Sequence, residues 1–222
     1  MDLGRRLVAE GLGTGILVST IIGSGIMADA LTGDGAVALL GNTLPTGAIL
    51  VVLITVLSPI SGAHFNPVVS MVAALRRDLS GRDAALYTLA QIAGALVGML
   101  AAHAMFNLPL LQASEQVRTG SGQWLAEFIA TFGLLAIILI GGHFQRAALP
   151  ALVGLYITAA YWFTASTSFA NPAVTIARAL TNSFAGIRPL DVPPFVAAQI
   201  FGALVALALA SWLLRPKADR AA

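Results

Sequence analysis

Long charge-free runs set the pattern of this chain. One lies between Glu10 and Asp29, and others span Ala84 to Ser114, Phe128 to Gln145 and Val192 to Leu214. A helix needs about 20 apolar residues to cross a bilayer, so each run predicts one spanning helix. Two further runs, Gly35 to Leu75 and Ala147 to Ala177, are too long for one span and short for two with a loop. Both carry the same ending. Asn66-Pro67-Val68 leads into helix-compatible residues up to Leu75, and Asn171-Pro172-Ala173 into a similar stretch up to Leu180. Asn is a good helix cap, and Pro is favoured in a first helical turn. Ten helical residues extend about 15 Å, half of a hydrocarbon core of about 30 Å. Each overlong run therefore reads as a full span plus a half-helix. That makes six spans and two half-spans.

Composition agrees. Of 222 residues, 58% are apolar and 10% are charged, where a soluble domain carries about a quarter. The chain is read as an integral membrane protein. The absence of cysteine excludes disulfides, thiolate metal sites and cysteine nucleophiles. No other ligand spacing suggests a metal, no cofactor is expected, and no nucleophile can be assembled for an enzyme. A scattered net charge of +2 gives no reason to expect nucleic acid. The segment from Leu12 to Ala28 is followed by no cleavage-type boundary, so it reads as the first membrane helix and not as a signal peptide. Arg5, Arg6, Arg76, Arg77, Arg82, Arg146, Arg215, Lys217 and Arg220 fall on one side of the spans, against Arg118, Arg178 and Arg188 on the other. The positive-inside rule then places both termini in the cytoplasm of a multi-pass inner (plasma) membrane protein. No stretch outside the spans is long enough for a soluble domain, so residues 1–222 read as one membrane domain.

The chain also repeats itself. Ala9-Glu10 with Thr14 matches Ala126-Glu127 with Thr131, and Asn66-Pro67 matches Asn171-Pro172. The run from Ala90-Gln91 to Val97 matches the run from Ala198-Gln199 to Val205. The halves divide at about residue 115. Each holds three spans and a half-helix, and three is odd, so the second half enters from the opposite side. Inverted repeats place a site at the midplane, where broken helices meet. Gly11/Gly15 and Gly94/Gly98 are small-residue pairs that read as helix packing.

With these spans, two inverted Asn-Pro half-helices, paired Ala-Glu starts and the run Ser61-Gly62-Ala63-His64-Phe65-Asn66-Pro67, the chain resembles the aquaporin and aquaglyceroporin superfamily. The resemblance implies an all-α, aquaporin-like right-handed bundle and a homotetramer with one pore per subunit. The residues fit such a pore. Two half-helix N-termini facing each other at mid-depth disfavour cations, and Asn66 and Asn171 add amide donors for a passing oxygen. Capping by these Asn residues is compatible with lining the pore. Glu10 and Glu127 lie inside spans, where a carboxylate suggests a proton relay. Their equivalence in the repeat points instead to buttresses accepting backbone N–H groups of the irregular segments before each half-helix. His64 reads as a structural or a pore-lining histidine, with a pH gate as a third reading; His103 and His143 carry no assigned role.

Four positions carried over from the resemblance, by spacing from the two Asn residues, form a selectivity filter of Thr46, Ala159, Ser168 and Val174. Val174 stands where most relatives have Arg, and Val68 replaces the usual Ala of the first motif. Four small side chains predict a wide, uncharged opening for small neutral solutes: arsenous acid, boric acid, glycerol, urea and water. The set resembles the bacterial subgroup associated with arsenic resistance. A mainly water-conducting channel and an inverted-repeat secondary transporter are the alternatives. Arg178, one helical turn beyond Val174, either supplies a displaced positive charge over the outer vestibule or snorkels or pairs with a loop acid.

Overall fold

Polar residues at the edges of the apolar runs open the helices. In the computed structural model, which describes residues 1–215, Asp2 caps α1 (Leu3–Leu31), Asp34 caps α2 (Gly35–Ser61), and Ser80 caps α4 (Gly81–Met105) through side-chain oxygens. Between them α3 (Pro67–Leu75) is the first half-helix, capped by Asn66. The second half of the chain holds α5 (Ser121–Ala136), a π-helical turn at Ile137–Gly141, the short α6 (Gly142–Phe144), α7 (Leu149–Phe163), the half-helix α8 (Pro172–Arg178) and α9 (Val192–Leu213). All regular structure among the described residues is helical. Lys217 and Arg220, counted above with the cytoplasmic basic residues, lie outside the described residues.

Among the described residues, five helical segments are long and apolar enough to cross a membrane: α1, α2, α4, the run Ser121–Phe144, and Pro189–Leu213. The remaining span, α7, has 15 residues and is preceded by a 3-10 turn at Arg146–Ala148. The fourth span is longer than the charge-free run that marks it. It begins at Ser121, ahead of that run, with Glu127 inside the helix and the carboxylate satisfied by protein donors. The second half-helix is shorter than predicted, ending at Arg178 instead of Leu180. There the chain turns to bind its neighbours: the Arg178 carbonyl accepts from Ile187 N, and the Leu180 and Ala179 carbonyls from Gln112 N and Ser114 N.

Close helix approach holds the bundle. α1 packs along α4, and α5 along α9. A methyl group built on Gly94 would overlap the Gly11 carbonyl, and one on Gly98 the Gly15 carbonyl. Gly202, which matches Gly94 in the repeat, meets the Phe128 carbonyl in the same way. In a membrane, where apolar surface gains little by leaving lipid, such backbone contact is what van der Waals association requires. The expected packing role of the glycine pairs is what the structure contains. Outward faces carry exposed Val52, Val56, Leu89, Val97, Leu155 and Phe201, as a lipid-facing surface does.

Candidate functional site

The centre of the molecule is where α3 and α8 begin. Asn66 Oδ1 accepts from Val68 N at 3.1 Å, and Asn171 Oδ1 accepts from Ala173 N at 3.0 Å. Each Asn amide also crosses to the other half. Asn66 Nδ2 donates to the Ala170 carbonyl at 2.7 Å, and Asn171 Nδ2 to the Phe65 carbonyl at 2.8 Å. Since an amide nitrogen carries two hydrogens, each Asn keeps a second N–H beyond this bond. Pro67 and Pro172 occupy the first helical turns, where no N–H is missed.

Two carboxylates hold the loops that deliver these Asn residues. Glu10, fully buried, accepts from Phe65 N at 2.7 Å, His64 N at 2.9 Å, Ser61 Oγ at 2.6 Å and Gln91 Nε2 at 2.8 Å. Glu127 accepts from Phe169 N and Ala170 N, each at 2.9 Å, and from Gln199 Nε2 at 2.6 Å. In each loop the donating amides lie one and two residues before the Asn. The backbone follows the same symmetry: Ala63 and Phe65 take φ of 53° and 49°, and Ser168 and Ala170 take 52° and 48°. Left-handed conformations at non-glycine residues are costly and persist where surrounding bonds fix them. The carboxylates supply those bonds. Gln91 and Gln199 were visible in the sequence only as part of a repeated run.

A cavity of about 570 Å³ runs past this junction. Arg76, Asp78, His143 and Arg146 line one end, His64, Asn66 and Asn171 the middle, and Thr46, Ser168, Val174 and Arg178 the other end. Val68 and Ala173 are buried beside it without lining it. His64 Nδ1 lies 3.0 Å from Ser70 Oγ, and its ring meets Tyr87 edge-on, so it is both hydrogen-bonded and cavity-lining. His143 lines the mouth that the sequence left without a role. His103 is a tie, its nitrogens 2.9 Å from the Leu110 carbonyl and 2.8 Å from Thr181 Oγ1.

One predicted filter position is corrected. Ala159 is exposed on the outer face of α7 and does not line the cavity. Val153, Ile157 and Tyr161 do, at successive four-residue steps along one helix face, which residue 159 cannot share. Counting back from Asn171 without a gap misplaced the register. The Tyr161 hydroxyl lies 3.4 Å from Thr46 Oγ1, which itself donates to the Asn42 carbonyl at 2.8 Å. The lining therefore contains an aromatic that spacing did not reveal.

Arg178 does not snorkel, and among the described residues it pairs with no acid. Its side chain is buried, its Nε donates to the Ala185 carbonyl, and its Cζ stands 3.3 Å from the centroid of the Phe169 ring. The other face of this corner is held by Arg118, whose Nε donates to the Gly186 carbonyl at 2.8 Å and Nη1 to the Ser166 carbonyl at 3.2 Å. Burial holds the Arg118 guanidinium below the usual arginine pKa, with the Glu127 charge acting in the opposite direction.

Six helical crossings, two facing half-helices and a cavity past their shared start define a membrane channel. The chain belongs to the major intrinsic protein family, whose model matches residues 1–161. It is 64% identical over 215 residues to aquaglyceroporin AqpS of Rhizobium meliloti (strain 1021), covering 97% of this chain and 92% of that protein. A probable aquaporin, AqpM of Archaeoglobus fulgidus, is 30% identical over 241 residues, 96% of each chain. The X-ray structure of the aquaglyceroporin from Plasmodium falciparum superposes with a TM-score of 0.71 at 24% identity, over 94% of this chain and 95% of that one, a likeness of fold. The protein is a channel for water and small solutes, not an enzyme.

Proposed function

We propose that the chain is a passive pathway for small uncharged solutes bearing several hydroxyl or amide groups, such as arsenous acid, boric acid, glycerol and urea, together with water. The observation that carries this reading is the charge of the cavity wall. Among the described lining residues the one carboxylate is Asp78, at the Arg76 end, and Arg76 already pairs with it at 2.8 Å. At the Asn66–Asn171 junction a cation meets no carboxylate on the cavity wall, since Glu10 and Glu127 are buried behind the loops, and it meets two positive helix starts. A neutral solute exchanges water for Asn amides and for the hydroxyls of Thr46 and Ser168. In this reading Thr46, Tyr161, Ser168 and Val174 form the filter, both Asn residues cap and line, and Glu10 and Glu127 are buttresses. Similarity to proteins described as aquaglyceroporins supports the solute class.

Tyr161 favours a second reading, a predominantly water-conducting channel, because a phenol takes room that Ala159 would have left. The placement proposed is that of a multi-pass inner-membrane protein with both termini and the Arg76 end cytoplasmic. One domain spans residues 1–222, with halves of about 1–115 and 116–222, and four copies assemble with a pore in each. Exposed apolar flanks support burial against lipid or other copies. Proteoliposome flux of water, glycerol and arsenite measured side by side is the test. Solute flux should follow the solute gradient alone. Stimulation by an imposed proton or sodium gradient overturns the passive reading, and water flux without solute flux selects the second one.

A further inference from the structure

Glu10 and Glu127 hold the two re-entrant loops alike, but the remaining bonds of the loops differ. In the first loop the Ser61 carbonyl accepts from the Tyr87 hydroxyl at 2.8 Å, and Ser61 Oγ donates to Glu10 at 2.6 Å. Ser61 and Ser166 each stand five residues before their Asn, and Tyr87 and Phe195 each four residues before the repeated Gln. The ring contact is kept in both halves: His64 meets Tyr87 edge-on with centroids 5.4 Å apart, and Phe169 meets Phe195 edge-on at 5.3 Å. The hydroxyl is not kept, since Phe195 has none. Arg118 serves the second loop instead. Its Nη1 donates to the Ser166 carbonyl at 3.2 Å, its Nε to the Gly186 carbonyl at 2.8 Å, and its backbone N–H to Asp191 Oδ2 at 2.9 Å. Its Cζ also lies 5.0 Å from the centroid of the Phe169 ring. One residue of the α4–α5 connection thus ties the second re-entrant loop to the chain that follows α8. Arg118 is no part of the cavity wall, so it acts on a solute only through what it holds.

We propose that Arg118 is a positioning residue of the passage, a clasp that fixes the loop segment Ser168–Ala170 on the cavity wall by holding the Ser166 carbonyl. Thr167 and Ser168 take φ of 61° and 52°, left-handed backbone that persists where neighbouring bonds fix it. Ser168 N donates to Ser166 Oγ at 3.3 Å, so the residue that Arg118 anchors also orients the start of the wall. A solute that fills the passage must push this wall outward, and water need not. Anchoring the wall therefore raises the barrier for large solutes and leaves that of water unchanged. The inference rests on the neutral-solute reading above and deepens it by naming what sets the upper size of the solute.

The test uses Arg118→Gln. Its amide nitrogen falls where arginine has Nε, so the Gly186 bond is kept and the Ser166 bond is lost. Erythritol, one carbon longer than glycerol, and water are read from the same vesicles, so protein amount cancels in their ratio. The erythritol-to-water ratio should rise about fivefold, the factor that one net hydrogen bond of about 1 kcal/mol represents. Adding Phe195→Tyr, which supplies the hydroxyl that Tyr87 gives the first loop, should return the ratio toward wild type. A rise that the tyrosine does not reverse still supports the clasp. A ratio that is unchanged or lowered overturns it, even where both fluxes fall together, because a merely structural bond changes the amount of working channel and not its size limit. Should Arg118→Gln not reach the membrane, Arg118→Lys is read in its place: one nitrogen cannot occupy both the Nε and the Nη1 positions, so an unchanged ratio there overturns the proposal and a raised one supports it. Wild-type vesicles that pass water and no glycerol overturn the neutral-solute reading by themselves. Erythritol flux that then appears in the Arg118 variant supports the clasp all the same, and its absence overturns the clasp too.

Discussion

Asn66 and Asn171 each do two jobs with one side chain. The oxygen caps a half-helix, and the nitrogen crosses to the carbonyl before the other half-helix. Replacing either with Asp keeps the capping oxygen and loses the crossing donor, setting a carboxylate against a carbonyl at 2.7 or 2.8 Å. The new negative charge also faces positive helix starts, which lowers the barrier to cations. Asn66→Asp and Asn171→Asp should therefore each give a cation or proton current in reconstituted bilayers. Variants that insert normally and stay silent would remove the Asn residues from the passage. At this scale the sequence was informative where the repeat doubled a residue. Asn66 with Asn171, and Glu10 with Glu127, were legible because each had a twin at an equivalent place. Tyr161 was not, since its identification depends on which face of α7 turns inward and a spacing count carries no such information. Arg178 was visible as a residue, but its stacking on Phe169 is a tertiary fact.

Half-helices and glycine seams belong to the scale of elements. The helix count followed from run length, which bilayer thickness sets, and the half-helix starts from Asn-Pro, where local capping chemistry decides. Ends were less legible, as α8 shows: it stops at Arg178 because the loop around Gln112 and Ser114 claims the next carbonyls. The α1–α4 seam makes a direct prediction. Gly94→Ala places a methyl group on the Gly11 carbonyl, so the helices must separate at a cost of about 1–3 kcal/mol. Gly122→Ala, in α5, meets nothing within 4 Å. Thermal midpoints in detergent should fall for the first and stay level or rise for the second. Equal midpoints would mean that the seam tolerates separation. On α8, Val174→Arg adds a second long cation beside the one already there. Like charges and lost volume should slow glycerol and arsenite more than water. If the solute-to-water ratio does not move in matched vesicles, Val174 lies outside the constriction.

Across the whole molecule, the two halves are joined where both re-entrant loops take left-handed backbone. Each re-entrant loop carries left-handed residues, is held from its own side by a carboxylate, and touches the other loop through an Asn. Inverted repetition was readable from matched residues, but the reciprocity of these two bonds was not, because each partner is a backbone carbonyl with no sequence signature. Reciprocity has a thermodynamic consequence. If the bonds Asn66–Ala170 and Asn171–Phe65 close one shared junction, breaking either loosens the loop that presents the partner for the other. Asn66→Ala and Asn171→Ala should then each cost about 1–3 kcal/mol, as expected when a buried carbonyl loses its donor. The double variant should cost less than the sum, by at least about 0.5 kcal/mol, the scale on which neighbouring sites fail to add. Unfolding midpoints of wild type, both single variants and the double, in one detergent, complete the cycle. A second pair supplies the control: Gly94→Ala combined with Asn171→Ala acts at two separate contacts, so its costs should add. Additivity in the Asn pair as well would mean that each Asn supports its own loop alone, and that the halves meet at the midplane without holding one another.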